Sequence, residues 1–99
     1  MKYVPTAVKR DLRVLGEQLT TQRKLLGLTV DDVAKRARVS PTTVHNLEHG
    51  KAVRTDSLLS VARILHMADA MVAAADPLQT DLGRLRANQQ LPQRVRKQV

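Results

Sequence analysis

The sequence has no cysteine, no phenylalanine and no tryptophan, and its single tyrosine is Tyr3. Without cysteine there is no disulfide, no thiolate metal site and no thiol nucleophile, a usage compatible with the cytosol. Without large rings, a core has to be assembled mostly from leucine, valine and alanine within the 42% apolar fraction. Small and branched side chains of this kind pack well between helices. The alternation of β-branched and aromatic residues that marks strands is missing as well. The expected fold class is all-α. No apolar run reaches transmembrane length, and the stretch MKYVPTAVKRDL lacks the apolar core of a secretory signal. The expectation is a cytoplasmic chain with no membrane contact.

Acidic residues are also scarce. Nine Asp and Glu stand against seventeen Lys and Arg, a formal net charge of +8 over 99 residues. That excess is the usual footprint of a polyanion binder and points to nucleic acid. The length suffices for one small domain and not for two. Enzymatic patterns are missing: there is no nucleophile elbow, no phosphate-cradling glycine loop and no carboxylate dyad. We expect no catalytic residue, no enzymatic activity and no cofactor.

What is present centres on residues 29–50, TVDDVAKRARVSPTTVHNLEHG. Thr29 suits an N-cap, with Asp31 and Asp32 in the first turn, where the helix dipole favours negative charge. Val30, Val33, Ala34 and Ala37 then recur on one helical face. The pattern breaks at Arg38-Val39. Ser40 caps a second helix, Pro41 occupies its first position, and Gly50 closes it. Val44 and Leu47 point inward. Helices joined by so short a turn must cross steeply, which makes a helix-turn-helix. The outward side of the second helix carries Thr42, Thr43, His45, Asn46 and His49, short polar groups suited to base edges. Asn46 can pair with adenine N6 and N7 in a bidentate manner. His45 and His49 have the spacing of zinc ligands, but no third ligand is in sight, so no metal is expected.

Along the rest of the chain, Thr6 can cap a first helix running to about Leu26. Its apolar stripe is Val8, Leu12, Leu15, Leu19, Leu25 and Leu26, with Lys9, Arg10, Arg13 and Lys24 outside. Gly16 interrupts it, so a kink there is expected, and Gly27 ends it. After Gly50 comes a basic loop. Thr55 or Asp56 then caps a helix whose inward face is Leu58, Val61, Ala62 and Leu65. A short helix follows over 68–75, where Met67, Met71 and Val72 serve either as core or as a homodimer surface. Asp76-Pro77 stops it. The domain is therefore placed at 1–75. Residues 76–99 read as a partly disordered, basic tail with at most one helical turn, ending in Arg94, Arg96 and Lys97.

The run from Arg23 to Leu65 resembles the Cro/C1-type (XRE-like, lambda-repressor-like) helix-turn-helix DNA-binding family. The matching residues are Arg23, Leu26-Gly27-Leu28-Thr29, Val33-Ala34, Ala37, Val39-Ser40, Val44, Leu47-Glu48, Gly50 and Leu58 through Leu65. The resemblance implies a five-helix domain whose third helix enters the major groove. It implies that Pro41, Thr42, His45 and Asn46 read base edges and that Thr43, Lys51 and Arg54 touch phosphates. We add His49 to the phosphate set. It further implies an ion pair between Arg23 and Glu48 inside the domain. Val30 departs from the family's usual glutamine, and Pro41 can offer a base only apolar contact. The tail, from Asp76-Pro77-Leu78-Gln79-Thr80-Asp81 to Gly83-Arg84, resembles that of HipB-type antitoxins, which are encoded beside HipA-type kinase toxins. Together these imply a regulator of transcription. It would repress as a dimer on a palindromic operator in double-stranded DNA, and a HipA-type toxin would be its protein partner. A phage-type Cro/C1-like repressor without a toxin partner is the alternative.

Overall fold

The computed structural model describes the backbone of residues 3–98 and the side chains of residues 3–90. Six α-helices and one 3-10 turn make up most of the described backbone. They are α1 (Thr6–Leu25), α2 (Val30–Ala37), α3 (Pro41–Glu48), α4 (Thr55–Ile64), α5 (Ala68–Ala74), the 3-10 turn Pro77–Gln79, and α6 (Asp81–Gln98). No strand occurs among the described residues. The fold is all-α. It divides into two compact units, Met1–Ala68 and Asp69–Val99.

In the first unit, Leu19 of α1, Val33 and Ala34 of α2, Val44 and Leu47 of α3, and Val61 with the adjoining Leu65 of α4 form the buried core. Leu15, Leu28, Val30, Ala37, Val39, Val53, Leu58 and Met67 pack around them, half-buried. Each helix contributes a narrow stripe of small or branched side chains, so the axes can approach closely without aromatic filler.

The ends of α1 to α4 share one device. Gly27, Arg38, Gly50 and His66 adopt left-handed backbone, with φ of 71°, 58°, 75° and 62°. The next residue's N–H reaches back five positions: Leu28 to the Arg23 carbonyl (3.1 Å), Val39 to Ala34 (3.1 Å), Lys51 to Asn46 (2.9 Å) and Met67 to Ala62 (2.8 Å). These are Schellman closures. Three of the four following residues, Leu28, Val39 and Met67, are apolar and drop onto the core. The last helical carbonyls are thus satisfied at each of the four ends, and the connections stay short.

Three expectations for α1 need correction. It does not kink at Gly16 but runs unbroken from Thr6 to Leu25. Gly16 is buried because a Cβ there would stand 2.6 Å from the backbone carbonyl oxygens of Leu47 and Glu48. The glycine marks a close approach, not a weak point. Leu25, placed in the apolar stripe, is 76% exposed. Six residues beyond Leu19 it has rotated to the outer side, and the inward position one turn after Leu19 belongs to Arg23. Thr6 is the first helical residue; Pro5 is the N-cap and no side chain caps the end.

The second unit also differs from expectation. The tail was read as holding at most one helical turn, yet α6 spans Asp81–Gln98. The local chemistry explains its start. The Asp76 carboxylate accepts from the Leu78 N–H (2.9 Å), and the Thr80 hydroxyl donates to the Pro77 carbonyl (2.8 Å) while accepting from the Gly83 N–H (2.9 Å). Arg84 then bonds the Leu78 carbonyl (2.9 Å) and the Asp81 carboxylate (2.5 Å). A Cβ on Gly83 would meet the Pro77 carbonyl oxygen at 1.8 Å, so only glycine fits the corner. Leucine, arginine, alanine and glutamine then carry the helix on propensity despite their polar average. The side chains of Arg94, Arg96 and Lys97 lie outside the described residues.

Candidate nucleic-acid interface

The interface is built on the second helix of the motif, and its orientation is fixed at both ends. At the N-terminus, the Ser40 hydroxyl accepts from the Thr43 N–H (3.1 Å) and shares a hydrogen bond with the Thr43 hydroxyl (2.9 Å). Pro41 stands at the first helical position, where its missing N–H leaves nothing unsatisfied. At the C-terminus, α1 presses against α3 twice. Gly16 meets the carbonyls of Leu47 and Glu48, and Gly50 meets Arg13, whose Cα would lie 2.8 Å from an added Cβ.

An ion pair locks the same junction. Arg23 Nε donates to Glu48 Oε2 (2.6 Å) and one terminal nitrogen donates to Oε1 (3.2 Å). Its other terminal nitrogen donates to the Leu28 carbonyl (2.9 Å), beyond the end of α1. The side chains are only 14% and 7% exposed. A forked guanidinium on a carboxylate resists rotation as well as separation. α1, the turn after it and α3 therefore move as one body.

α2 is secured from its own start. The Thr29 hydroxyl accepts from the Asp32 N–H (3.0 Å), and the Asp32 carboxylate accepts in return from the Thr29 N–H (2.9 Å). That reciprocal box lowers the Asp32 pKa below its ordinary value, chiefly through the Thr29 backbone bond.

With Val44 and Leu47 buried and Glu48 turned to Arg23, the remaining side of α3 faces outward. Pro41, Thr42 and His45 are exposed and Asn46 is half-exposed. The His45 and His49 rings lie 4.0 Å apart between centroids, tilted by 31°, and His49 Nδ1 hydrogen-bonds the His45 carbonyl (2.8 Å). His49 is thereby held along its own helix, with Nε2 as its remaining polar atom. Among the described residues no three His, Asp or Glu side chains gather to hold a metal.

Thr43, Asn46, Ala52, Val53, Arg54 and Ser57 line an open groove of about 420 Å³ between α3 and the start of α4. The fold thus brings Asn46 and Arg54 to one concave surface. Arg54 lies 2.9 Å from the Asp56 carboxylate; both are largely exposed, so this contact is weakly held and readily exchanged. Lys51 is exposed directly after Gly50. Two features of this surface escaped the sequence reading. Ser57 lines the groove, and its place one turn after Arg54 is the signal that would have found it. The Thr43 hydroxyl is engaged by the Ser40 cap, so its side chain belongs to the helix start as much as to the surface. Met67, grouped with Met71 and Val72, packs on the core of the first unit; Met71 is half-exposed and Val72 exposed.

This arrangement presents a braced helix with short polar side chains on one side and cations at its exit. A family model described as a helix-turn-helix domain matches residues 14–75, well over half the chain. The protein belongs to the helix-turn-helix domain family. No curated protein and no solved structure matches it. As a helix-turn-helix protein it carries a DNA-binding domain, consistent with the Cro/C1-like resemblance, and the motif's second helix is α3. No described helix is long and apolar enough to cross a membrane.

Proposed function

We propose that this helix-turn-helix protein is a sequence-specific transcriptional repressor that acts in the cytoplasm as a homodimer on a pseudo-palindromic operator. The observation that carries the reading is the outward side of α3. It bears Thr42, His45 and Asn46, short hydrogen-bonding groups at base-reading spacing, on a helix braced by a largely shielded ion pair. A merely solvated helix in a chain of charge +8 would carry lysine and glutamate there. Asn46 reads adenine, Thr42 and His45 read neighbouring bases, and Pro41 gives apolar contact to a thymine methyl. Thr43, His49, Lys51 and Arg54 hold phosphates and set the register. Two such helices enter successive major grooves about 34 Å apart, and repression follows from occluding the promoter. Met71 and Val72 belong to the surface that pairs the two copies. The protein has no catalytic role.

A reporter driven by the DNA upstream of the protein's own gene tests this. Expression falls when the protein is supplied, and footprinting protects two half-sites one helical turn apart. An unprotected upstream region overturns the reading.

One observation favours an antitoxin role alongside repression. The corner from Asp76 to Arg84 is closed by five side-chain hydrogen bonds, and it exposes Leu78, Leu82 and Leu85 at 47%, 61% and 56%. DNA binding does not call for so defined an apolar surface. A HipA-type kinase toxin is the partner proposed for it. Truncation after Ala75 then abolishes co-purification of the neighbouring gene product. A chain that captures no such product, and represses equally well when truncated, is a phage-type repressor without a toxin.

A further inference from the structure

The part of α1 that precedes the family match is charged against its own stability. α1 begins at Thr6, whereas the match begins at residue 14. Lys9, Arg10 and Arg13 are all exposed, and no acidic residue occupies the first turn. Cations near a helix N-terminus oppose the macrodipole. Lys9 also repels Arg13 at i,i+4, and Arg10 repels it at i,i+3. Asp11 gives no relief, because a residue two positions from Arg13 projects from the far side of the helix. No hydrogen bond or ion pair holds any of these three cations among the described residues.

The same stretch lies beside the exit of α3. Gly50 packs on the Arg13 backbone so closely that a Cβ would meet Arg13 Cα at 2.8 Å and Arg13 N at 3.0 Å. Lys51 follows Gly50 directly, so Arg13 flanks it, and Lys9 continues the same face of α1 one turn nearer the free end. The acid on that face, Glu17, stands one turn away on the opposite side of Arg13.

We infer that Lys9 and Arg13 form a further phosphate site for the DNA backbone, continuous with Lys51, through which α1 grips the strand beside the recognition helix. This rests on the DNA-binding reading above. Phosphates placed there neutralise charges that repel one another in the free protein.

Phosphate contacts do not depend on sequence, so a random-sequence duplex is a sufficient probe. The full-length protein is titrated against it at several salt concentrations, as wild type and as Lys9→Gln/Arg13→Gln. The slope of log affinity against log salt falls by about 1 for each lost contact, about 2 for each protomer bound. A control, Lys24→Gln/Arg86→Gln, removes equal charge elsewhere and keeps the wild-type slope. Removing the repulsion leaves the melting temperature of the Lys9/Arg13 variant unchanged or raised. An unchanged slope overturns the site while leaving the DNA-binding reading standing, and so does an equal loss in the control. A fall in melting temperature assigns the cations to the fold and overturns it too. A wild type that binds no duplex overturns both. Asn46→Ala keeps the wild-type slope, which separates reading from grip.

Discussion

Arg23 and Glu48 join α1 to α3 by two charge-assisted hydrogen bonds, of 2.6 and 3.2 Å, at a site where neither side chain is more than 14% exposed. Removing one partner strands the other charge in a poorly solvated place, at a cost of about 3–5 kcal/mol. Arg23→Ala and Glu48→Ala are each expected to lose that much in urea unfolding. Arg23→Lys keeps the charge but not the fork, and is expected to recover only part of it. Replacing both with apolar residues of similar volume costs less than either single change. If the single variants lose under 1 kcal/mol, the pair is not what ties the two helices.

Gly16 and Gly27 separate two reasons for glycine. Gly16→Ala gains about 1 kcal/mol of helix propensity but sets a methyl 2.6 Å from two backbone carbonyl oxygens. Overpacking of this kind costs about 1–3 kcal/mol, more where backbone must move, so the net change is destabilising. Gly27→Ala meets nothing within 4 Å and suffers only its φ of 71°, about 1 kcal/mol. Thermal melts of the two variants check the order. A stabilised Gly16→Ala would contradict the close approach.

His66 holds the left-handed position after α4 with a φ of 62° and is exposed. Relief of that conformation favours His66→Gly by up to about 1 kcal/mol. His66→Val, whose branched side chain disfavours this backbone further, moves the melt the other way.

The capping box at α2 makes stability depend on acid. The Thr29 backbone bond lowers the Asp32 pKa in the folded chain, so the folded value lies below the unfolded one. Its contribution is full above the ordinary carboxylate range, about pH 4, and is lost as pH falls through the folded value. Asp32→Asn is expected to be less stable at neutral pH and to flatten that part of the acid-unfolding curve. An identical acid limb in the variant would mean that Asp32 contributes nothing to it.

The ends of α2 and α3 were legible wherever a residue type has one job. Thr29, Ser40 and Pro41 start helices, and Gly27 and Gly50 end them. Arg38 and His66 end helices in the same way, yet neither residue type requires a left-handed backbone; the break in apolar period marks Arg38, and nothing marks His66. Gly16 was misread because a glycine within a helix signals weakness as readily as contact. Which it is depends on Leu47 and Glu48, thirty residues away. Polar composition argues for at most one helical turn in the tail, whereas the start of α6 depends on the local bonds of Thr80, Gly83 and Arg84. On the interface, the outward set of α3 followed from period alone, with Val44 and Leu47 facing in. The groove that joins Asn46 to Arg54 and Ser57 did not, because it forms only when α4 folds back beside α3.

The central claim is that α3 reads bases. The most direct measurement is binding of the full-length protein to the DNA upstream of its own gene and to a scrambled duplex, near 0.15 M salt. Wild type is run beside Asn46→Ala. The account predicts a preference of roughly 10³-fold or more for the upstream sequence in the wild type. In the variant it falls by the worth of one bidentate contact in each half-site, about 1–3 kcal/mol apiece, while binding to the scrambled duplex is unchanged. Equal binding of the wild type to both duplexes would contradict the account, leaving a protein whose charge holds DNA without reading it.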